Sequence, residues 1–260
     1  MHPFLNIAFE ALKDARKLII HSMENMENVN IKEKARNDFV TEVDQKVEHI
    51  IIEAIRASYP DHAILGEEHG QIGKHEYTWI IDPIDGTTNF IHGHPYFCTS
   101  IGIKYKNRIE HGLIYDHLRH ELFTASRGGG AYLDNKRIRV SKRLSPEGSV
   151  FESGIAQNKA SHLMPLFRKI LDNLYPHAAA IRNSGAAALE LAYIASGRMD
   201  AIFKFGLSIW DFAAGILLVK EAGGIVTDEL GAENYFDSGN VIAANPKLIK
   251  ELLKIIKQNL

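Results

Sequence analysis

The segment Asp82-Pro83-Ile84-Asp85-Gly86-Thr87-Thr88-Asn89-Phe90 places two carboxylates three residues apart, directly after the apolar run Thr78-Trp79-Ile80-Ile81. That run predicts a short buried strand, and Pro83 and Gly86 predict that the chain then turns. Asp, Pro, Gly and Thr also form ordinary turns without any ligand. Alternatively, two acids at the carboxyl end of a strand can hold Mg²⁺, and the threonines can begin a helix whose free N–H groups favour phosphate.

Composition limits the protein class. The chain has 260 residues, 45% of them hydrophobic, which is enough for one sizeable core or two closely packed subdomains. The formal net charge of −2 gives no overall basic character, so extended nucleic-acid binding is not indicated. Cys98 is the only cysteine, which excludes an intramolecular disulfide and a zinc site built from several thiolates.

No segment of the sequence indicates a membrane protein. Residues 1–20 carry charges between their apolar positions, which favours an amphipathic helix over a signal peptide. The apolar run 212–219 is much shorter than the roughly 20 residues that cross a bilayer. We therefore expect a soluble, cytoplasmic protein.

The first half of the chain shows two helical patterns followed by strand patterns. Apolar residues recur at helical spacing over 4–23 and 38–58, and the polar segment 25–37 between them predicts a mobile loop. Alternating strands joined by short polar turns then predict an antiparallel meander. These strands are expected over 99–105, 109–115, 121–125 and 131–140.

A polar stretch over 142–148 marks a boundary, after which strands alternate with helices. Strands are expected near 150–154, 179–182, 200–205, 224–227 and 241–243, and helices near 161–174, 186–196, 211–222 and 246–258. We predict a mixed α/β protein that forms one catalytic unit. Its N-terminal part, 1–145, has helices, an antiparallel sheet and most of the metal ligands, and its α/β part, 146–260, completes the site.

Two further acids lie at the ends of apolar elements. Glu67 follows Gly66 and the apolar pair Ile64-Leu65, so it is either an exposed loop acid or a third carboxylate for a divalent cation. Asp211 precedes the strongly apolar run 212–219, where an acid can cap the helix, bind a metal, or do both.

Other polar or small residues leave their alternatives open. Gly185-Ala186-Ala187-Ala188, preceded by Arg182, predicts either close helix packing or an anion-binding helix start, where Arg182 would contact the ligand. Asp44 is by default a surface acid of a helix. The thirteen histidines include His92-Gly93-His94, which lacks the spacing of a helical zinc pair, and we expect them at the surface or in satisfied positions. The glycines at 128–130 lack P-loop spacing and predict a hairpin.

Several of these blocks occur together in a known family. The blocks at 66–68, 82–90 and 210–215 (Trp210-Asp211, then Ala213-Ala214-Gly215) resemble the inositol monophosphatase family in order, spacing and sequence. The similarity extends to 38–44, 185–187 and 221–224, and so covers nearly the whole chain. The compact length is most like that of the bacterial inositol-1-monophosphatases of the SuhB type.

The resemblance implies a layered αβαβα sugar-phosphatase fold and Li⁺-sensitive, Mg²⁺-dependent hydrolysis of a phosphate monoester such as inositol 1-phosphate, with two or three ions in each site. It also implies a homodimer. Some SuhB-type proteins act in transcription with RNA polymerase and antitermination factors, and their catalysis is dispensable there. The sequence has no dedicated motif for that role.

The family pattern assigns roles to residues of this chain. Glu67, Asp82 and the Ile84 carbonyl would hold the first Mg²⁺, and Asp82, Asp85 and Asp211 the second. Thr87 would help to orient the attacking water, Glu67 would also be catalytic, and Asp44 would support Thr87. The residues implied on the substrate side are Ile84, Asp85, Gly86, Thr87, Thr88, Arg182, Gly185, Ala186, Ala187, Lys204 and Asp211.

One position departs from the family pattern. Seven residues before the metal-binding Asp, the family commonly has a Glu that contacts substrate hydroxyls, whereas this chain has Lys204. An ammonium group cannot accept a hydrogen bond from a hydroxyl. Lys204 is therefore either a surface lysine of a strand or a contact for a second anionic group, as in fructose 1,6-bisphosphate, a nucleotide bisphosphate or NADP.

Overall fold

A computed structural model describes residues 1–35, 38–156 and 160–260 of the chain. Its N-terminal part contains the two long amphipathic helices, α1 (Pro3–Glu24) and α2 (Glu42–Ser58). Thr41 accepts the N–H groups of Val43 and Asp44 and so begins α2. Within the described ranges, no helix is long and apolar enough to cross a membrane.

The segment between these helices differs from the prediction. It contains a 3₁₀ turn, Met26–Asn28, and a two-stranded antiparallel hairpin of β1 (Ile31–Ala35) and β2 (Asp38–Thr41). The expected loop over 25–37 was therefore wrong where the structure describes it, and positions 36 and 37 lie outside the described residues. The helix expected from residue 38 begins only at Glu42, because residues 38–41 pair as a strand.

The first sheet has eight strands in the order β10-β9-β8-β7-β6-β5-β3-β4. Neighbouring strands run antiparallel except β3 and β5, which are parallel. The strands are β3 (Ala63–Gly66), β4 (Gly70–Ile72), β5 (Tyr77–Asp85), β6 (Cys98–Tyr105), β7 (Arg108–Asp116), β8 (Glu121–Ser126), β9 (Gly130–Leu133) and β10 (Lys136–Arg137). The short helix α3 (Thr87–Ile91) follows β5. The antiparallel meander is confirmed.

The strand expected over 131–140 is divided. Asp134 and Asn135 adopt positive φ angles of 47° and 64°, which make a tight turn between β9 and β10. This part of the prediction was wrong because the turn residues lie inside the expected strand.

The second sheet has five strands in the order β12-β11-β13-β15-β14, with parallel pairs around β11 and antiparallel pairs at β15. Its strands are β11 (Val150–Ile155), β12 (Ala180–Arg182), β13 (Ala201–Phe205), β14 (Ile225–Thr227) and β15 (Val241–Ala244). The helices of this half are α4 (Ala160–Leu174), α5 (Ala187–Ala195), α6 (Ile209–Glu221), α7 (Tyr235–Ser238) and α8 (Leu248–Lys257). Every predicted strand and long helix of this half is present, and the short α7 was missed.

The elements stack in five layers. Helices α1 and α2 cover one face of the first sheet, α5 and α6 lie between the sheets, and α4 and α8 cover the second sheet. The middle helices are buried on nearly all sides, as their almost continuous apolar sequences require. Gly102 and Gly112 let α6 lie close to the first sheet, because an added Cβ would come within 2.9 Å of Ala213 and 2.8 Å of Ala214. The αβαβα arrangement is confirmed.

Candidate active site

The aspartates of the opening segment lie within the end of β5, where a loop after the strand was predicted. Asp82 pairs with Ser100 and Asp85 with Cys98, so two residues of β5 bulge out between these pairs. Pro83 fits the bulge because a bulged residue needs no ladder N–H. Its carbonyl instead accepts the Thr99 hydroxyl at 2.6 Å. The strand therefore continues through both acids.

The turn comes one residue later, at Gly86. This residue has a φ of 96°, and an added Cβ would lie 3.1 Å from the Tyr96 carbonyl oxygen and from the Ala186 Cβ. Glycine is therefore required both by the left-handed backbone and by the close approach of residue 186. Helix α3 begins immediately afterwards, as the two threonines predicted.

Asp82 is a buried carboxylate among other acids. It is 2% exposed, and its Oδ1 has no hydrogen-bond partner. Burial raises the pKa of Asp82 well above its ordinary value, and the negative charges of Glu67, Asp85 and Asp211 raise it further. The four acids that the sequence singled out therefore lie near enough to one another to repel.

Asp85 connects β5 to the middle helix layer. Its Oδ1 accepts the N–H of Ala187 at 3.1 Å, and its Oδ2 accepts the N–H of Ala188 at 2.6 Å. These N–H groups lie in the first turn of α5 and have no acceptor within that helix. A carboxylate of the first sheet thus supplies their hydrogen-bond acceptor. Burial raises the pKa of Asp85 to about 7, although the Lys204 ammonium opposes this shift.

Thr87 and Asp44 make the contact that the family resemblance implies. Thr87 Oγ1 lies 3.2 Å from Asp44 Oδ1 and 3.0 Å from the Ile84 carbonyl oxygen. The other carboxylate oxygen of Asp44 accepts the N–H and hydroxyl of Thr41. Asp44 is fully buried, so its interpretation as a surface acid was wrong. Burial raises the pKa of Asp44, and its hydrogen bonds from Thr41 and Thr87 oppose this.

Glu67 is held beside Asp82 by the sheet. The parallel strands β3 and β5 pair Gly66 with Ile81, and the Glu67 N–H donates to the Ile81 carbonyl at 3.1 Å. The residue that follows Gly66 therefore lies beside the residue that follows Ile81, which is Asp82. Glu67 is half-buried there.

Glu48 supports this turn and was missed by the sequence analysis. It is fully buried on α2 and accepts the N–H groups of Glu68 at 3.1 Å and His69 at 2.8 Å, and it also contacts the His69 ring. An added Cβ at Gly66 would lie 2.3 Å from Glu48 Oε1. The sequence contained one indication that Glu48 is buried. It lies four residues after Asp44, on the helix face that also carries Val47 and Ile51.

Asp211 has a capping role inside its helix. It occupies the third position of α6, and its Oδ2 accepts the N–H of Ser208, the N-cap residue, at 2.7 Å. The helix therefore begins earlier than predicted: Ser208 is the cap residue, and Asp211 contributes to the capping box from inside the helix. A carboxylate oxygen retains further lone pairs after such a bond, so capping leaves Asp211 able to bind a cation.

A cavity of about 400 Å³ opens beside these acids. Six of the predicted site residues line it: Asp85, Thr88, Gly185, Ala187, Lys204 and Asp211. Asn89 also lines it and joins the two halves of the site, since its Nδ2 donates to the carbonyls of Tyr96 at 2.7 Å and Ser184 at 2.8 Å. The sequence analysis included Asn89 in the segment 82–90 but assigned no role to it.

The other five predicted substrate residues are not part of this cavity lining: Ile84, Gly86, Thr87, Arg182 and Ala186. Arg182 is exposed, and its backbone carbonyl accepts the Ser153 hydroxyl at 3.0 Å. Ala186 is fully buried as the N-cap of α5, against Gly86. Their contacts with substrate stay predictions.

Lys204 is not a surface residue. Its side chain is 7% exposed, and its ammonium lies 2.8 Å from Oε1 and 2.7 Å from Oε2 of the buried Glu190. The surface interpretation was therefore wrong. Glu190 was not considered in the sequence analysis, because an acid inside the apolar sequence of α5 gives no indication of its partner.

The acids fit a divalent cation. Asp82 has an orphaned buried oxygen, and hard cations such as Mg²⁺ take several oxygen ligands. Within the described ranges, no three His, Cys, Asp or Glu side chains form a ready-made metal cluster. Asp85 and Asp211 also have oxygens bonded to N–H groups at the starts of α5 and α6. Glu67, Asp82, Asp85 and Asp211, with the Ile84 carbonyl, are the groups that would hold Mg²⁺.

Known proteins resemble this chain over its full length. The sequence profile of the inositol monophosphatase family matches residues 1–260. The Nus factor SuhB of Pseudomonas aeruginosa is 48% identical over 269 residues, which cover 100% of this chain and 98% of that protein.

Two solved structures share the fold. The extragenic suppressor protein suhB from Bartonella henselae has a TM-score of 0.95 and 36% identity, with 100% of both chains covered. The Thermotoga maritima IMPase has a TM-score of 0.89 and 33% identity, covering 99% of this chain and 98% of that one. The chain belongs to the inositol monophosphatase family.

Proposed function

We propose that this protein hydrolyses phosphate monoesters of small polyols, such as inositol 1-phosphate, in a Mg²⁺-dependent reaction. The observation that carries the proposal is Asp82, a buried carboxylate with an orphaned oxygen that is repelled by Glu67, Asp85 and Asp211. Buried like charges cost stability, and a bound cation would offset that cost. The fold supports the same function, because the Thermotoga maritima relative is described as an IMPase.

The chain's own residues position the reactants. Thr87 presents a hydroxyl fixed between Asp44 and the Ile84 carbonyl, which suits it to orient a water molecule for attack on phosphorus. The backbone N–H groups that begin α3 face the same end of β5 and are donors for phosphate oxygens. Glu48 fixes the turn that carries Glu67.

Bound Mg²⁺ would neutralise the developing charge and lower the pKa of a coordinated water. The Thr99 hydroxyl lies 2.7 Å from His117 Nε2, but it is fully buried and donates to the Pro83 carbonyl. The Cys98 thiol is buried and lies 3.7 Å from Asp85 Oδ2. Hydrolysis by direct attack of water is therefore the mechanism that these residues support.

We also propose a role in transcription, with RNA polymerase and antitermination factors as partners in the cytoplasm. The supporting observation is the full-length, 48% identical relative that is named a Nus factor. The relatives' names favour this role as the cellular function, whereas the acids of the site favour retained catalysis. The two roles are compatible, because the acids occupy one sheet edge and leave most of the surface for partners.

Phosphate release tests the catalytic proposal. The purified protein is assayed with Mg²⁺ on inositol 1-phosphate, fructose 1,6-bisphosphate and NADP, with and without Li⁺. We expect Mg²⁺-dependent and Li⁺-inhibited release from inositol 1-phosphate. If no phosphate is released from any of the three, the phosphatase proposal is wrong.

Binding tests the transcription proposal separately. The protein and its Asp82→Asn variant are immobilised and incubated with purified RNA polymerase and Nus factors from the same organism. We expect both forms to retain the same partners, since the variant changes only a buried carboxylate. Retention by neither form would contradict the transcription role without affecting the catalytic one. Sedimentation velocity of the same preparations tests the homodimer.

A further inference from the structure

Lys204 is fixed by a two-oxygen ion pair inside the protein. It lies on β13, and its ammonium is within 2.8 Å of both carboxylate oxygens of Glu190 on the neighbouring helix α5. Glu190 Oε1 also accepts the N–H of Gly185 at 2.9 Å. Both side chains are buried, so water weakens this pair far less than it would weaken a surface pair.

The ammonium is shared with other acids. Burial raises the pKa of Asp85 and of Glu152, and the Lys204 ammonium opposes both shifts. Glu152 in turn accepts the hydroxyl of Ser184 at 2.8 Å. The positive charge of Lys204 therefore acts on the carboxyl groups of Asp85, Glu152 and Glu190, and Arg182 also acts on Glu152.

The Lys204 side chain also lies close to the backbone of the neighbouring strand β11. A Cβ added at Gly154 would lie 3.2 Å from Lys204 Cε, 3.4 Å from its Nζ and 3.1 Å from Asn183 Oδ1. The lysine thus runs along the backbone of β11, which pairs with its own strand. Moving the ammonium away from Glu190, toward a ligand in the cavity, would leave a buried carboxylate unpaired, which is costly.

We infer that the Lys204–Glu190 pair makes the cavity select monophosphates of uncharged polyols and disfavour substrates with a second phosphate. This inference rests on the proposed phosphatase function. A second phosphate would meet the Lys204 ammonium, whose charge Glu190 already neutralises. The other carboxylates near this ammonium would repel the phosphate. The hydroxyls of a polyol would instead meet the neutral groups of Asn183, Ser184 and Gly185, which also line the cavity.

Substrate competition tests this inference. We compare kcat/KM for fructose 1,6-bisphosphate and for inositol 1-phosphate in the wild type and in four variants. Glu190→Gln leaves the ammonium without its counter-charge, so the bisphosphate-to-monophosphate ratio should rise about tenfold or more. Lys204→Gln leaves the carboxylate alone and should lower that ratio. The double variant Glu190→Gln/Lys204→Gln removes both charges and should return the ratio close to that of the wild type.

The control variant is Glu221→Gln. Glu221 accepts the N–H groups of Gly128 and Gly130 in a hairpin of the first sheet, so the variant should leave the ratio unchanged. An unchanged ratio in both Glu190→Gln and Lys204→Gln would overturn the inference while leaving the phosphatase proposal intact. If one single variant does not fold, the other still gives the direction of the shift. Absence of activity on both substrates in the wild type would overturn the proposed function and the inference with it.

Discussion

The Glu48 carboxylate accepts the backbone N–H of His69 at 2.8 Å, although the two residues are 21 positions apart. The same carboxylate accepts the N–H of Glu68. A fully buried side chain of the outer helix layer thereby determines the path of the turn that carries Glu67. Residues that orient metal ligands affect metal binding nearly as strongly as the ligands themselves.

Glu48→Gln should weaken Mg²⁺ binding. The amide retains one oxygen but cannot accept from both N–H groups, so the turn at Glu67 should loosen. We expect the Mg²⁺ concentration for half-maximal activity to rise about tenfold to a hundredfold. Glu53→Gln, on the exposed face of the same helix, is the matched control and should behave as the wild type. Equal Mg²⁺ dependence of the two variants would show that Glu48 has no such role.

Gly66→Ala should destabilise the protein through the same contact. The new methyl group would lie 2.3 Å from Glu48 Oε1, so the buried carboxylate or the strand must move. We expect a loss of roughly 1–3 kcal/mol in the free energy of unfolding, the range typical of overpacking. Urea denaturation measures this loss. An unchanged free energy of unfolding in Gly66→Ala would show that the Glu48 carboxylate can move aside without cost.

Thr87→Val should lower kcat while leaving the fold intact. Valine preserves the shape of the side chain but removes the hydroxyl that lies between Asp44 and the Ile84 carbonyl. We expect a loss of about a hundredfold in kcat, and Thr87→Ser should restore most of the activity because it keeps the hydroxyl. If the valine and serine variants have the same kcat, the hydroxyl does not orient the water.

Acid should destabilise the fold through His117. Burial lowers the pKa of His117 to about 3, and the positive charges of Arg16 and His120 lower it further. In the unfolded chain the imidazole binds a proton below about pH 6.5, whereas in the folded protein it stays neutral. The contribution of His117 to the free energy of unfolding is therefore fully present above about pH 6.5 and is lost as the pH falls toward 3. Asp116 adjoins His117 in sequence, and the Tyr115 ring contacts the imidazole.

The size of this effect can be measured by urea denaturation at several pH values. We expect His117 to account for a loss of roughly 2 kcal/mol between pH 6.5 and pH 4.5. His117→Gln keeps a partner for the Thr99 hydroxyl, which lies 2.7 Å from the imidazole Nε2, but cannot titrate. The variant should have a shallower dependence of stability on pH. The same slope in both proteins would contradict this assignment.

Much of the fold could be predicted because its signals are local. The strands and long helices of the second half follow from apolar runs and turn residues, and the layered stacking follows from nearly all-apolar helices such as α6. The hairpin of β1 and β2 was missed because its strands are polar and pair mainly with each other. The extension of β5 through Asp85 was missed because a bulge accommodates Pro83, and no local sequence pattern predicted that bulge.

The site shows the same division. The acids Glu67, Asp82, Asp85 and Asp211 were found because each lies at the end of an apolar element. The pairing of Lys204 with Glu190 was missed because it joins a strand and a helix 14 residues apart in sequence. Glu48 was missed because a glutamate on an amphipathic helix is usually solvated. Contacts between layers depend on the tertiary arrangement, which local patterns do not contain.

The Asp82→Asn variant tests the central claim, that these acids form a Mg²⁺ site for phosphate-ester hydrolysis. Thermal unfolding with and without Mg²⁺ is measured on the wild type and the variant, alongside phosphate release from inositol 1-phosphate. We predict that Mg²⁺ raises the wild-type Tm by roughly 5–10 °C and leaves the Tm of the variant nearly unchanged. The variant should stay folded and lose nearly all activity. Wild-type turnover by Asp82→Asn at saturating Mg²⁺, or an equal Mg²⁺-induced rise in its Tm, would contradict the account.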